Sequence, residues 1–91
     1  MLSFDWDARK AASNFTKHGV SFEEAATAFA DSLSITVRDP EHSGQEDRFV
    51  LLGTSHLARL VVVVHTERGD TIRLISARLA TPAERRQHEE G

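Results

Sequence analysis

The chain is expected to fold as one α+β domain, a small antiparallel β-sheet with two amino-terminal helices on one face and a short carboxy-terminal helix. Three observations lead there. Apolar residues recur at helical spacing before Asp31; runs rich in Val, Ile, Leu and Thr follow from Leu33 to Leu79; and a capped helix start stands at Thr81. Residues 1–91 show no repeat, low-complexity tract or linker, and this length suits a single small core.

Asp7 is a good N-cap for a first helix. Ala8, Ala11, Ala12 and Phe15 fall on one helical face, and Gly19 is a natural C′ residue. Ser21 and Glu24 form a capping box for a second helix with Phe22, Ala25, Ala26 and Phe29 as its apolar stripe. Only Lys17-His18-Gly19-Val20 connects the two, so they meet at a tight corner.

Strands are expected over Leu33–Arg38, Asp47–Ser55, Arg59–Glu67 and Thr71–Leu79. The breaks at Asp39-Pro40, His56-Leu57-Ala58 and Arg68-Gly69-Asp70 are short, which favours hairpins in meander order. A three-residue connection at the last hairpin sets His65 opposite Arg73 and sends Ile72 and Leu74 into the core with Val62 and Val64. A two- or four-residue connection reverses that set, and the first is favoured. Thr81, Pro82 and Glu84 supply N-cap, N1 and N3 of a last helix through about Glu89.

Composition excludes several functions. No cysteine is present, so disulfides and thiolate metal sites are ruled out. The longest apolar run, Leu60 to Val64, is far short of the ~20 residues of a membrane-spanning helix. Asp5 and Asp7 stand where a signal peptide would be basic, and the chain reads as a soluble cytoplasmic protein. No Walker loop, HExxH, GxSxG or CxxC pattern occurs, and no cofactor or metal is expected.

The net charge of −3 argues against indiscriminate coating of nucleic acid, but the charge is segregated. Residues 1–58 carry five basic and nine acidic side chains, whereas residues 59–88 carry six basic and three acidic. Arg48, Arg59, Arg68, Arg73, Arg78, Arg85 and Arg86 recur through the strands and closing helix, and the planar Arg fork suits phosphate or carboxylate. Two helices on one sheet face leave the other, with its arginines, open to an anionic partner.

RNA cleavage without a metal needs a base for the 2′-hydroxyl, an acid for the departing 5′-oxygen and cations around phosphorus. His18, His42, His56, His65, His88, Glu46, Glu67 and Glu84 are the available proton-transfer groups. Each has a plainer alternative: His18 as a helix-end cap, His42 as a solvated loop residue, Glu46 in a surface ion pair with Arg48. Arg73 and Arg78 compete with structural bridges to Glu67 or Glu84, and Trp6 reads as a core anchor.

An ordered set of motifs adds to this. Phe4-Asp5-Trp6-Asp7 with Lys10 and Asn14, Lys17 to Ala25, His42-Ser43 with Glu46 and Arg48, Thr66-Glu67-Arg68, Arg73 to Arg78 and Glu84-Arg85 together resemble the BrnT family of toxins. The resemblance implies a RelE-like ribonuclease fold and a type II toxin that inhibits translation through RNA cleavage. It also implies a cognate BrnA antitoxin of ribbon-helix-helix type, which neutralises the toxin in a hetero-oligomer and contacts operator DNA. Carried over by position, it assigns RNA binding to Arg48, Arg68, Arg73 and Arg78 and the acidic motif position to Glu46. Arg78 and His88 would border the active face, with Glu46 the candidate base and His88 the candidate acid. Two departures stand out: the family shows Tyr where this chain has His88, and a glycine-containing turn where it has His56-Leu57-Ala58. The rival expectation is a non-catalytic module whose arginine face docks an acidic protein.

Overall fold

The computed structural model describes residues 2–43 and 46–90, the side chains of 40–43 excepted. The elements run β1 (Ser3–Asp5), α1 (Ala8–His18), α2 (Phe22–Thr27), a 3-10 turn (Ala28–Ala30), β2 (Ile35–Ser43), β3 (Asp47–Thr54), β4 (Leu60–Arg68), β5 (Thr71–Leu79) and α3 (Pro82–Glu90). The sheet order is β1-β5-β4-β3-β2, and every pairing is antiparallel except β1 with β5. The expected meander is thus present, with one addition. β1 is three residues long and carries no alternating pattern of its own; it forms because β5 offers a free edge. Ser3 N donates to Asp70 O at 2.8 Å, and the Ser3 and Thr71 hydroxyls bond at 3.0 Å.

Asp7 caps α1 as its sequence requires, accepting from the backbone of Arg9 and Lys10, and Gly19 closes it at φ 69°. The buried face differs from the expected one. Phe15 is 57% exposed, while Asn14 is buried and bridges α1 to the sheet. Its amide donates to Val20 O and Ala77 O, and its carbonyl oxygen accepts from Ala77 N. A polar residue takes the inward position because it satisfies three backbone groups at once, which Phe could not do.

α2 presents Phe22 and Ala25 to the core, with Ala26 and Phe29 packed beside them. Ser21 Oγ accepts from Glu24 N as a cap should, but the Glu24 side chain does not complete the box. It turns inward to Arg59, which donates from Nε at 2.9 Å and again from Nη2, and to Ser55 Oγ at 2.7 Å. Arg59 Nη2 also donates to Gly19 O, so one guanidinium joins both helices to the start of β4. The core closes over Val20, Phe22, Ala25 and Ala28 from the helices and Leu51, Val61, Val63, Ile72, Leu74 and Ala77 from the sheet. Trp6 meets Phe22 edge-on at 5.9 Å, as a core anchor.

Two expectations about strands are corrected. β2 does not stop at Asp39-Pro40; it runs to Ser43, with a register irregularity after Arg38. Proline is tolerated there because β2 is an edge strand and need not donate outward. The last hairpin uses a two-residue turn, with Arg68 opposite Thr71, Thr66 opposite Arg73 and His65 opposite Leu74. Gly69, at φ 60°, supplies the positive φ that a type II′ turn needs at its first central residue. The favoured three-residue register is therefore wrong: Val61, Val63 and His65 face the helices, and Val62, Val64 and Thr66 face away. An irregularity after Val64 then brings Ala77 opposite Val63 and Arg78 opposite Val62, which keeps Arg78 on the far face.

At the β3–β4 turn, Ala58 holds φ 61°, a backbone conformation that favours glycine. An L-residue in this region costs roughly 1–2 kcal/mol. Ala58→Gly removes that cost and adds unfolded-state entropy, so a net gain of about 0.5–1 kcal/mol is expected in urea denaturation.

Candidate functional site

The sheet face away from α1 and α2 gathers the predicted arginines into two groups rather than one. Its upper row crosses four strands: Arg48 on β3, Thr66 on β4, Arg73 on β5 and Asp5 on β1, each directly opposite the next. Arg68 lies two residues beyond Thr66, and Glu46 immediately precedes β3. Its lower row is Ile35, Leu52, Val62 and Arg78. Four residues of β4 separate the rows, about 13 Å at ~3.3 Å per residue.

In the upper group, Arg68 grips Glu46 with both arms of its fork, Nε to Oε2 at 2.6 Å and Nη2 to Oε1 at 2.9 Å. The expected Glu46–Arg48 pair is thus replaced by a cross-strand one. The Arg68 hydrogen bonds hold the Glu46 carboxyl below the usual range, with help from the nearby Arg73 and Arg48. Arg73 Nη1 meets Asp5 Oδ1 at 3.3 Å, and Arg48 has no ion pair among the described residues. The group carries three cations against two carboxylates, and the least committed of the cations flank Thr66.

The lower group is built by α3. Thr81 and Glu84 form a complete capping box, Glu84 N to Thr81 Oγ1 at 3.1 Å and Thr81 N to Glu84 Oε1 at 2.9 Å. Glu84 also accepts both arms of Arg78, at 2.8 and 3.0 Å. The bridge from Arg78 to Glu84 is therefore present, and it fixes α3 across the sheet. Between them lies a groove of about 280 Å³ lined by Ile35, Val37, Val50, Leu52 and Val62, with Glu84 and Gln87 above. His88 is half-buried, its Nδ1 without a partner among the described residues. Glu46 and His88 thus belong to different groups.

Of the other titratable candidates, His65 and His56 are held in contacts within the fold. His65 is fully buried, bonds Glu67 Oε2 through Nε2 at 3.0 Å, and is packed by Phe29 and Phe49. His56 receives support from Thr27. His18 ends α1, and the His42 side chain lies outside the described residues. Among the described residues no three His, Cys, Asp or Glu side chains converge as a metal site would require, and no helix is long and apolar enough to cross a membrane. Sequence reasoning missed Thr66 and Asp5, whose positions beside Arg73 depend on pairings that no local signal encodes.

Arg78 and the cap of α3 make Glu84 acid-sensitive, while its partial burial works in the opposite direction. The Arg78 hydrogen bonds, followed by that from Thr81 N, lower its pKa from 4.5 to about 2. A folded-state pKa below the ordinary value stabilises the fold above about 4.5, and that stability is lost as pH falls toward about 2. Glu24 shifts in the same direction through Arg59. Urea midpoints are thus expected to fall between pH 5 and 2.5, and Glu84→Gln should shrink that fall.

Comparison with known proteins agrees with this architecture. The chain is similar over 89% of its length to the crystal structure of the Brucella abortus ribonuclease toxin BrnT, covering 99% of that chain with a TM-score of 0.64 and 20% sequence identity. That likeness supports the fold. No curated protein sequence matches the chain. The family model described as the ribonuclease toxin BrnT of type II toxin–antitoxin systems matches residues 6–84. This span includes the arginines of both groups with Glu46, Thr66 and Glu84, and the chain belongs to the BrnT family of ribonuclease toxins.

Proposed function

We propose that this protein cleaves RNA without a metal ion, by in-line attack of a 2′-hydroxyl on the adjacent phosphate at the upper arginine group. The observation that carries the reading is the Arg48–Thr66–Arg73 row, set on the middle strands of the sheet with Arg68 and Glu46 beside it. The sheet anchors the backbone of each arginine, and cations gathered around phosphorus stabilise the charge that grows in the transition state. Glu46 is the base candidate. Its bond to Arg68 keeps it ionised but weakly basic, and a phosphate that draws Arg68 away would restore its proton affinity. The 5′-oxygen then leaves with a proton, and a 2′,3′-cyclic phosphate remains.

Arg78, on the row about 13 Å along β4 from that centre at ~3.3 Å per residue, serves the flanking RNA better than the reacting phosphate. His88, on α3, remains the acid candidate. The same arginine face suits an acidic antitoxin of ribbon-helix-helix type, which would block RNA, form a hetero-oligomer and carry the operator-DNA contacts. Cleavage of cytoplasmic RNA would arrest translation.

The test is purified protein incubated with RNA in EDTA. Products ending in 2′,3′-cyclic phosphate are expected. Intact RNA, with tight binding to an acidic partner, would instead identify a non-catalytic docking module.

A further inference from the structure

We propose that the Thr66 hydroxyl is a phosphate-binding group, donating to a non-bridging oxygen of a phosphate held between Arg48 and Arg73. The inference rests on reading the open face as the RNA site and adds to it a residue whose type is otherwise unexplained.

Thr66 is 3% exposed, and its Oγ1 has no hydrogen-bond partner among the described residues. The other buried polar residues do have partners: Asn14 with Val20 and Ala77, Glu24 with Arg59 and Ser55, His65 with Glu67. A buried, unpaired hydroxyl is unfavourable, and valine would fill the same volume on a strand that already carries Val61 to Val64. The fold alone thus favours Val at this position. Threonine makes sense if its donor is used in another state of the molecule.

The surroundings identify the acceptor. Arg48 and Arg73 stand directly across from Thr66 on either side, and Arg68 is the next residue on the same face of β4. Three of the residues around this hydroxyl are therefore cationic, with long stems that can swing. Arg48 has no ion pair among the described residues, and Arg73 has a single contact with Asp5 at 3.3 Å. A phosphate approaching this row draws both guanidinium groups onto two of its oxygens, which uncovers the hydroxyl beneath for a third. Threonine donates one hydrogen bond and phosphate oxygens accept several, so the set is chemically complete. The two Arg side chains set the charge, and Thr66, on the central strand, sets the depth and position of the phosphorus.

The proposal is tested with Thr66→Val and Thr66→Ser, using a 2′-O-methyl RNA oligonucleotide that cannot be cleaved, followed by fluorescence anisotropy. Thr66→Val is expected to weaken binding about 10- to 100-fold, the range for a hydrogen bond to a charged group. Its melting temperature should equal or exceed that of the wild type, and Thr66→Ser should bind within about 2-fold of it. Wild-type binding by Thr66→Val overturns the proposal, as does equal loss in both variants, which would assign the effect to the methyl group. Cleavage of unmodified RNA by the wild type is read in parallel. If it is absent while the Val and Ser variants still differ in binding, the ribonuclease reading fails and the phosphate contact stands. An oligonucleotide that does not bind the wild type overturns the phosphate contact, and the cleavage assay then decides the ribonuclease reading by itself.

Discussion

Alanine at Arg73 is expected to slow RNA cleavage by about 100-fold or more while leaving the melting transition within a few degrees of the wild type. Removing one fixed donor from a charge-stabilising site typically costs about 2.7–4 kcal/mol in the transition state. The structural loss is much smaller. The Arg73 side chain is 38% exposed and its contact with Asp5 is long, so that pair contributes ~0–1 kcal/mol. Arg48→Ala should behave alike, and the double variant should lose less than the product of the two, because both act on one phosphate. Arg78→Ala is the informative contrast. It releases Glu84 and loosens α3, so a lower melting temperature should accompany any loss of activity. Single-turnover rates measured beside thermal melts separate these cases. Unchanged cleavage by the Arg48/Arg73 double variant would remove the reaction from the upper group.

The largest effect on stability is expected at Arg59. Glu24 is 3% exposed, and Arg59→Ala would leave that carboxylate buried with only Ser55 to donate to it. Breaking a buried pair in this way costs about 3–5 kcal/mol. The Arg59 side chain is 35% exposed, so water entering the vacated space relieves part of the penalty, and about 3 kcal/mol is the expected loss. For a domain of this size that lowers the melting temperature by on the order of 15 °C. Glu24→Ala should cost less, since the freed guanidinium can turn to solvent. Replacing both, as Glu24→Leu with Arg59→Met, should be milder than Arg59→Ala alone, because no unpaired charge is left behind. Equal denaturation midpoints for the wild type and Arg59→Ala would show that the clamp does not hold the helices to the sheet.

Residue types alone made much of this protein legible. Asp7, Gly19, Ser21, Thr81 and Pro82 mark helix ends through bonds spanning at most four residues, and the structure places α1, α2 and α3 accordingly. The Val- and Leu-rich runs determine the strands, their short breaks determine the meander, and the ordered motifs lead to the BrnT family. Their information is local, or is carried by order along the chain.

Tertiary structure decided the rest. β1 exists through pairing with β5, an edge 68 residues away, and this pairing sets Asp5 against Arg73. A one-residue difference at the Gly69-Asp70 turn inverted the faces of β4, because side chains alternate with a period of two. Glu24 left its local cap for Arg59 because a charged, half-buried guanidinium is a stronger partner for a buried carboxylate than a neutral backbone amide. Glu46 likewise pairs with Arg68 across the strands, whereas Glu84 reaches Arg78 while keeping its cap on Thr81 N. The sequence by itself determined the elements other than β1, their order and the cationic character of one sheet face. Which arginines share that face, and which are held in bridges, was decided by strand register, since charges two residues apart along a strand and charges on neighbouring strands compete at similar distances.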